Sequence, residues 1–246
     1  MPHTRSYQEV VCMCMSMLNK ELCVIAGGLF KEGAIKFGEF LLKLHEKTPL
    51  APPSPIYLNL RTPDNPKPGP LTPKLVRKMG KYLRYLSMIN ALEFDYIVGI
   101  PRAGEPFAEA FAIAYKKATG KTIPVLKLNK EELETRRKIG HMITGAFEPG
   151  KIVLVIDDLI SEADSKFEAI EALEANGLVV KNVLVFVDRE MGGGLELLRR
   201  GYVLHTAIGL SRLFSHYVNV GSITKQMRSE ALTYPERLKQ FHAKAT

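Results

Sequence analysis

The sequence predicts an α/β fold, with a mainly parallel twisted sheet flanked by helices and a small N-terminal lobe. Three observations carry this: apolar runs of strand length that recur, helix-like segments between them, and a different character in the first ninety residues. The runs are Tyr96 to Ile100, Pro124 to Leu128, Ile152 to Ile156 and Val183 to Val187. A strand covered on both faces reads as a continuous apolar run, which marks a parallel sheet buried between helices. Between the runs, Glu105 to Ala118 and Ser165 to Asn176 carry Ala, Glu, Phe and Ile at helical spacing, with Gly120 and Gly177 as stops. Strands and helices thus alternate, as an α/β domain requires.

Taken from the N-terminus, Val10 to Leu18 reads as an amphipathic first helix, too short to cross a bilayer and with no small-residue cleavage site after it. Cys12, Cys14 and Cys23 form an odd, clustered set, a poor disulfide framework that points to a reducing cytoplasm. The Cys12-x-Cys14 pair, even with His3, lacks the second pair of a zinc site, so these thiols read as buried small hydrophobes. An extended segment around Ile56 to Arg61 follows, inside a stretch from Pro49 to Pro73 that holds more than half of the 15 prolines. Proline at that density forbids regular helix. The expected organisation is a helical and extended lobe over 1–90, a core α/β domain over 91–221, and a polar tail or peripheral helix over 222–246.

With 246 residues, 46% apolar, the chain can bury a sizeable core. Its 34 basic and 26 acidic side chains give +8, which suits nucleic acid, a membrane surface or a phosphorylated metabolite. Trp is absent, and the nine Tyr and eleven Phe are scattered without the basic and aromatic interleaving of a base-stacking platform. Neither a nucleic acid nor a membrane is therefore the expected partner.

The most informative segment runs from Val153 to Ser165: a buried strand, the adjacent acids Asp157 and Asp158, a short turn, then a helix. Ligands of open parallel sheets bind beyond the carboxyl ends of strands, and an anion there can use the N–H groups that open the next helix. Paired acids at that point can hold the two hydroxyls of a sugar, or act on a cation or a developing positive charge. The plainer alternative is a helix cap by Asp157, Asp158 or Ser161.

That segment resembles the phosphoribosyl-pyrophosphate signature of type I phosphoribosyltransferases: four apolar residues, two acids, two apolar residues and a small hydroxyl-rich loop. Gly33 to Lys43, Ser54 to Asn59 and Val187 to Gly193 in turn resemble the orotate phosphoribosyltransferase branch, so the likeness spans roughly residues 25 to 220. The resemblance implies transfer of phosphoribose from phosphoribosyl pyrophosphate to orotate, giving orotidine 5'-phosphate and pyrophosphate. It implies Mg2+ as cofactor, with no metal ligand assigned to a side chain, and a cytoplasmic homodimer. By the same likeness Asp157 and Asp158 hold the ribose hydroxyls, while Ser161, Glu162, Ala163, Asp164 and Ser165 wrap the 5-phosphate. Lys43 contacts the donor, Arg102 lies in the pyrophosphate turn, Lys130 is the catalytic-loop cation, Tyr57 and Leu58 wall the base, and Arg189 pairs with the orotate carboxylate.

Three segments depart from the family pattern. Glu162 and Asp164 stand in the phosphate loop where small neutral residues are usual; at about 5 Å and an effective dielectric of about 20, each would cost about 3 kcal/mol per phosphate charge if it faced the ligand. In the catalytic loop only Lys130 and Glu131 match in place, with Arg136, Arg137, Lys138 and His141 downstream. Ala103 stands where some relatives have Lys. These departures keep open a second reading, a non-catalytic relative that binds a nucleotide or acts in regulation.

Overall fold

The computed structural model describes residues 19–42, 44–133 and 136–245. In chain order the elements are α1 (Lys20–Lys31), β1 (Ile35–Phe40), α2 (Leu44–Lys47), β2 (Ser54–Leu58), α3 (Pro73–Ile89), β3 (Tyr96–Gly99), α4 (Glu105–Thr119) and β4 (Val125–Leu133). They continue as β5 (Arg136–Thr144), β6 (Ile152–Ile160), α5 (Asp164–Ala175), β7 (Val179–Asp188), α6 (Gly193–Arg199), β8 (Val203–Gly209), α7 (Leu210–Asn219) and α8 (Lys225–Ala245).

The chain divides into two compact units. The larger comprises Glu32–Ala34 and Asn59–Gly209 and is built on a six-stranded sheet of order β5-β4-β3-β6-β7-β8. Every pairing in it is parallel except β4 with β5, which forms an antiparallel edge. The apolar runs become its centre: Val98, Val153, Val155, Val183 and Val185 are fully buried.

Helix α3 starts where Thr72 caps it, its Oγ accepting the Leu75 N–H at 3.3 Å, with Pro73 in the first turn. Glu32 fixes that cap from across the unit, accepting the Thr72 N–H and hydroxyl at 2.8 Å each. Gly80 lets α3 approach α4, since a Cβ there would lie 2.6 Å from the Ala110 carbonyl carbon. Phe107 and Phe111 fill the layer beneath α4, each contributing about 1.5–3 kcal/mol by burial. The helix stops at Gly120, whose φ of 74° suits a residue without Cβ.

The second unit gathers the described residues up to Lys31, Ile35–Leu58 and the chain from Leu210 onward. Strands β1 and β2 pair antiparallel, Ile35 opposite Leu58. Phe37 packs edge-on to Phe214 with ring centres 5.1 Å apart, and Tyr217 Oη donates to the Ala26 carbonyl at 2.8 Å. Tyr234 of α8 donates to the Pro52 carbonyl at 3.1 Å.

The α/β class and its parallel sheet are as the sequence predicts, but several boundaries differ. The division falls at Leu58 and at Gly209 rather than near residues 90 and 221. Helix α3 belongs to the sheet unit because its buried face, Leu75, Met79 and Leu83, packs there; of the two alternatives for the tail 222–246 the helix is the one formed, as α8, with Ala231 and Tyr234 buried. Strand β4 runs past Leu128 through polar residues, because pairing with β5 supplies what an apolar pattern does not. Val10 to Leu18, His3, Cys12 and Cys14 lie outside the described residues.

Candidate active site

Strand β6 overruns its neighbour. β3 ends at Gly99, opposite Ile156, whereas β7 stays paired with β6 as far as Asp188. Asp157 and Asp158 therefore lie within the strand rather than at its end, beside the place where β3 has turned away through Ile100-Pro-Arg102. Gly104 makes that turn fit: a Cβ on it would come within 2.6 Å of the Ile156 carbonyl oxygen and 2.8 Å of Asp157 Oδ1. The step opens a cavity of about 480 Å³ lined by Asp157, Asp158, Arg102, Ala103, Ser165 and Lys166, and by Arg61, Asn65 and Lys67 of the Pro-rich segment.

The acid pair is held rigidly. Asp157 and Asp158 are only 4% and 7% exposed. Asp157 Oδ1 accepts the Asp158 N–H at 2.9 Å, and Asp158 Oδ1 accepts the Leu159 N–H at 2.8 Å. Lys166, from the first turn of α5, places Nζ 2.6 Å from Asp157 Oδ2 and also donates to the Leu159 carbonyl at 2.6 Å. Burial, followed by the charge of Asp157, pushes the Asp158 carboxyl well above its ordinary pKa, with Lys166 and the Leu159 N–H pulling partway back.

Both oxygens of Asp157 are thus engaged, and among the described residues no three His, Cys, Asp or Glu side chains cluster to hold a metal. The side chains present therefore do not by themselves make a magnesium cage, which would need donor oxygens and water to complete it. The cavity's charge is instead made by four cations, Arg61, Lys67, Arg102 and Lys166, against two carboxylates. A ligand with a hydroxylated body and anionic ends suits that lining.

The Pro-rich segment is folded back on itself. Leu71 N–H and Gly69 N–H donate to the Arg61 and Thr62 carbonyls at 3.1 Å each, and the Asn59 amide donates to the Pro68 carbonyl at 3.2 Å. That closure fixes Arg61 and Lys67 at the cavity. Sequence reading left both out, although Arg61 ends the extended segment it had singled out. It also missed Lys166; the signal was a lysine on the apolar face of a helix, a position that requires a buried carboxylate partner.

The loop from Ser161 to Ser165 brings Ser165 to the cavity, while Glu162 and Asp164 are exposed and line no part of it. Ala163 is buried and leads into α5, whose first turn has no side-chain cap. Ser161 binds elsewhere: its Oγ accepts from Arg189 Nη1 at 3.1 Å, and its carbonyl accepts the Gly193 N–H at 3.0 Å. Arg189 is half-buried, anchored by its N–H to the Ile160 carbonyl at 2.9 Å, and is not among the residues lining the cavity. The structure therefore brings Asp157, Asp158, Arg102 and Ser165 together and leaves Arg189 one loop away.

Tyr57 and Leu58 belong to β2 in the other unit, where the Tyr57 ring lies 5.8 Å from that of Phe40. Lys43 lies outside the described residues. Lys130 is on β4, paired with Ile139, and its side chain is outside the described set, as are those of Arg136, Arg137, Lys138 and His141.

Because Glu162 and Asp164 are exposed and line no part of the cavity, replacing them by Thr and Gly is expected to change the affinity for a phosphorylated sugar less than about twofold, under 0.5 kcal/mol. Calorimetric titration of the double variant checks this, and a tenfold gain would place the carboxylates against the ligand.

No family model matches the chain. It is 30% identical over 215 residues to the uridine 5'-monophosphate synthase of Bos taurus, covering 87% of this chain but 39% of that protein, so it spans well under half of that relative. To the orotate phosphoribosyltransferase of Pyrococcus abyssi it is 27% identical over 187 residues, covering 76% of this chain and 91% of that one. Among solved structures, the UMP synthase of Leishmania donovani superposes with a TM-score of 0.66 at 28% identity, over 89% of this chain and 42% of that chain. The orotate phosphoribosyltransferase of Mycobacterium tuberculosis, at 19% identity, shares the fold with a TM-score of 0.60 over 80% of this chain and 93% of that one. Sequence and fold point the same way: the chain is similar to orotate phosphoribosyltransferases and to part of the UMP synthases, and it shares their fold.

Proposed function

We propose that the chain transfers phosphoribose from phosphoribosyl pyrophosphate to orotate, releasing pyrophosphate. The observation that carries this reading is the cation-lined cavity around a buried acid pair, at the step in the sheet where donors bind in parallel α/β folds. Asp157 and Asp158 face the ribose hydroxyls as acceptors. Arg61, Lys67 and Arg102 bind the pyrophosphate and stabilise the charge that develops on it as the anomeric bond breaks. The 5-phosphate sits at Ser165 and the uncapped first turn of α5, where backbone N–H groups favour an anion. Magnesium enters with the donor as a counter-ion of its pyrophosphate. Arg189, whose fork suits a carboxylate, meets orotate at the far side of the loop that Ser161 begins.

On the same reading the chain works as a cytoplasmic homodimer, with the β4–β5 hairpin as the segment that the family resemblance assigns to a neighbour's site. The non-catalytic alternative leaned on the acidic loop, and the exposed positions of Glu162 and Asp164 weaken that support. The test is pyrophosphate release with orotate, phosphoribosyl pyrophosphate and magnesium. Wild type is expected to turn over, and Arg102→Ala to lose about 10- to 150-fold in kcat/KM, the worth of one or two charged hydrogen bonds of about 1.5–3 kcal/mol in all. No orotate-dependent pyrophosphate from wild type would leave the non-catalytic reading standing.

A further inference from the structure

Lys166 is buried on the apolar face of α5 beside Phe167, Ala169 and Ile170, yet it also lines the cavity. A lysine persists in such a place only when its charge is compensated and its protons are bound. Of the three protons on Nζ, Asp157 Oδ2 and the Leu159 carbonyl take two at 2.6 Å each, and Ser165 Oγ lies 3.4 Å away along the cavity wall. The ammonium thus stands between the acid that faces the sugar and the serine that opens the phosphate end of the site.

That position has a consequence for anion binding. Two neighbouring carboxylates repel a phosphorylated ligand unless a cation screens them, and an open acid pair commonly recruits a divalent ion for that purpose. Here one oxygen of Asp157 already carries a cation supplied by the chain itself. We infer that Lys166 is a resident counter-ion and positioning residue, so that the cavity takes a phosphorylated ribose without a divalent cation. The inference rests on the phosphoribosyl reading of the cavity and deepens it: magnesium is needed for the pyrophosphate end of the donor, not for its ribose phosphate.

Calorimetric titration of ribose 5-phosphate, which has no pyrophosphate to chelate metal, tests it on the full chain in metal-stripped buffer and with millimolar magnesium. Wild type is expected to bind equally well in both, within about twofold. Lys166→Met is expected to bind about tenfold more weakly without metal and to regain most of the loss with magnesium, whereas Lys166→Arg keeps metal-independent binding. If Lys166→Met does not fold, the wild-type comparison decides alone. Wild-type binding that requires magnesium, a Lys166→Met chain with unchanged metal-free affinity, or no ribose 5-phosphate binding in either buffer overturns the inference. The pyrophosphate assay separates the two readings. An active chain whose ribose 5-phosphate binding needs magnesium keeps the transferase and loses the counter-ion. A chain that binds without metal but releases no pyrophosphate does the reverse.

Discussion

Replacing Asp157 by Ala is expected to cost the fold about 3–5 kcal/mol, measured by urea denaturation at neutral pH. The loss comes from the cation left behind. Lys166 is only 5% exposed at its side chain and sits on Asp157 at 2.6 Å, so deleting the carboxylate strands an ammonium among apolar neighbours. The double variant Asp157→Ala/Lys166→Met removes both charges and is expected to recover most of the stability, because a methionine of similar volume packs where the stem now lies. The two effects are therefore far from additive. A single Asp157→Ala variant that loses less than about 1 kcal/mol would mean that the pair is open to water.

Asp158→Asn is expected to act with the opposite sign on stability and with a larger effect on activity. Its carboxyl binds a proton more tightly in the folded chain than in the unfolded one, because burial and the charge of Asp157 raise its pKa well above 3.8. Its contribution to stability is thus fully present below the ordinary carboxylate pKa and is lost as pH rises through the raised folded value. Above that raised value the ionised group is a cost, and a neutral amide removes it. The variant is expected to gain in melting temperature relative to wild type as pH rises through the raised value, with the advantage shrinking as pH falls below it. Activity moves the other way: losing a charged acceptor for a ribose hydroxyl costs about 1.5–3 kcal/mol, about 10- to 150-fold in kcat/KM. A difference in melting point between variant and wild type that does not grow as pH rises would refute the assignment of Asp158 as the strained member of the pair. Stability traded for function in this way is common at sites built for ligands.

How far the sequence could be read depended on where the information lay. The strands of the sheet were legible because burial on both faces demands unbroken apolar runs such as Ile152 to Ile156. The extension of β6 through Asp157 and Asp158 was not, since carboxylates inside a strand contradict its local pattern and are kept there by hydrogen bonds and by Lys166, nine residues beyond Asp157. The acid pair itself stood out because its setting, strand then turn then helix, fixes where it must face. Arg61 and Lys67 were hidden by the prolines around them, which announce a loop but not where it folds. The exposure of Glu162 and Asp164 was equally invisible, because where a loop's side chains lie follows from backbone angles and not from residue types. The division of the chain could not be seen either, for the C-terminal helices declare only that they are amphipathic, not which segment they cover.

The smaller unit sets an order on how the chain can fold. Its closing contacts, Tyr217 on Ala26 and Phe214 against Phe37, join segments far apart in the chain, the first pair being separated by 191 positions. Contacts that distant carry a large loop-closure cost until the intervening chain has condensed. The sheet unit, nearly all of it from Asn59 to Gly209 in one run, supplies that condensation and can complete before α7 and α8 leave the ribosome. Until then α1 and the β1–β2 ribbon wait without their aromatic partners, exposing Phe30 and Phe37 to solvent and to other nascent chains. The interval between synthesis of the β1–β2 ribbon and emergence of α7 is therefore the period in which these rings lie uncovered and most open to association with other chains.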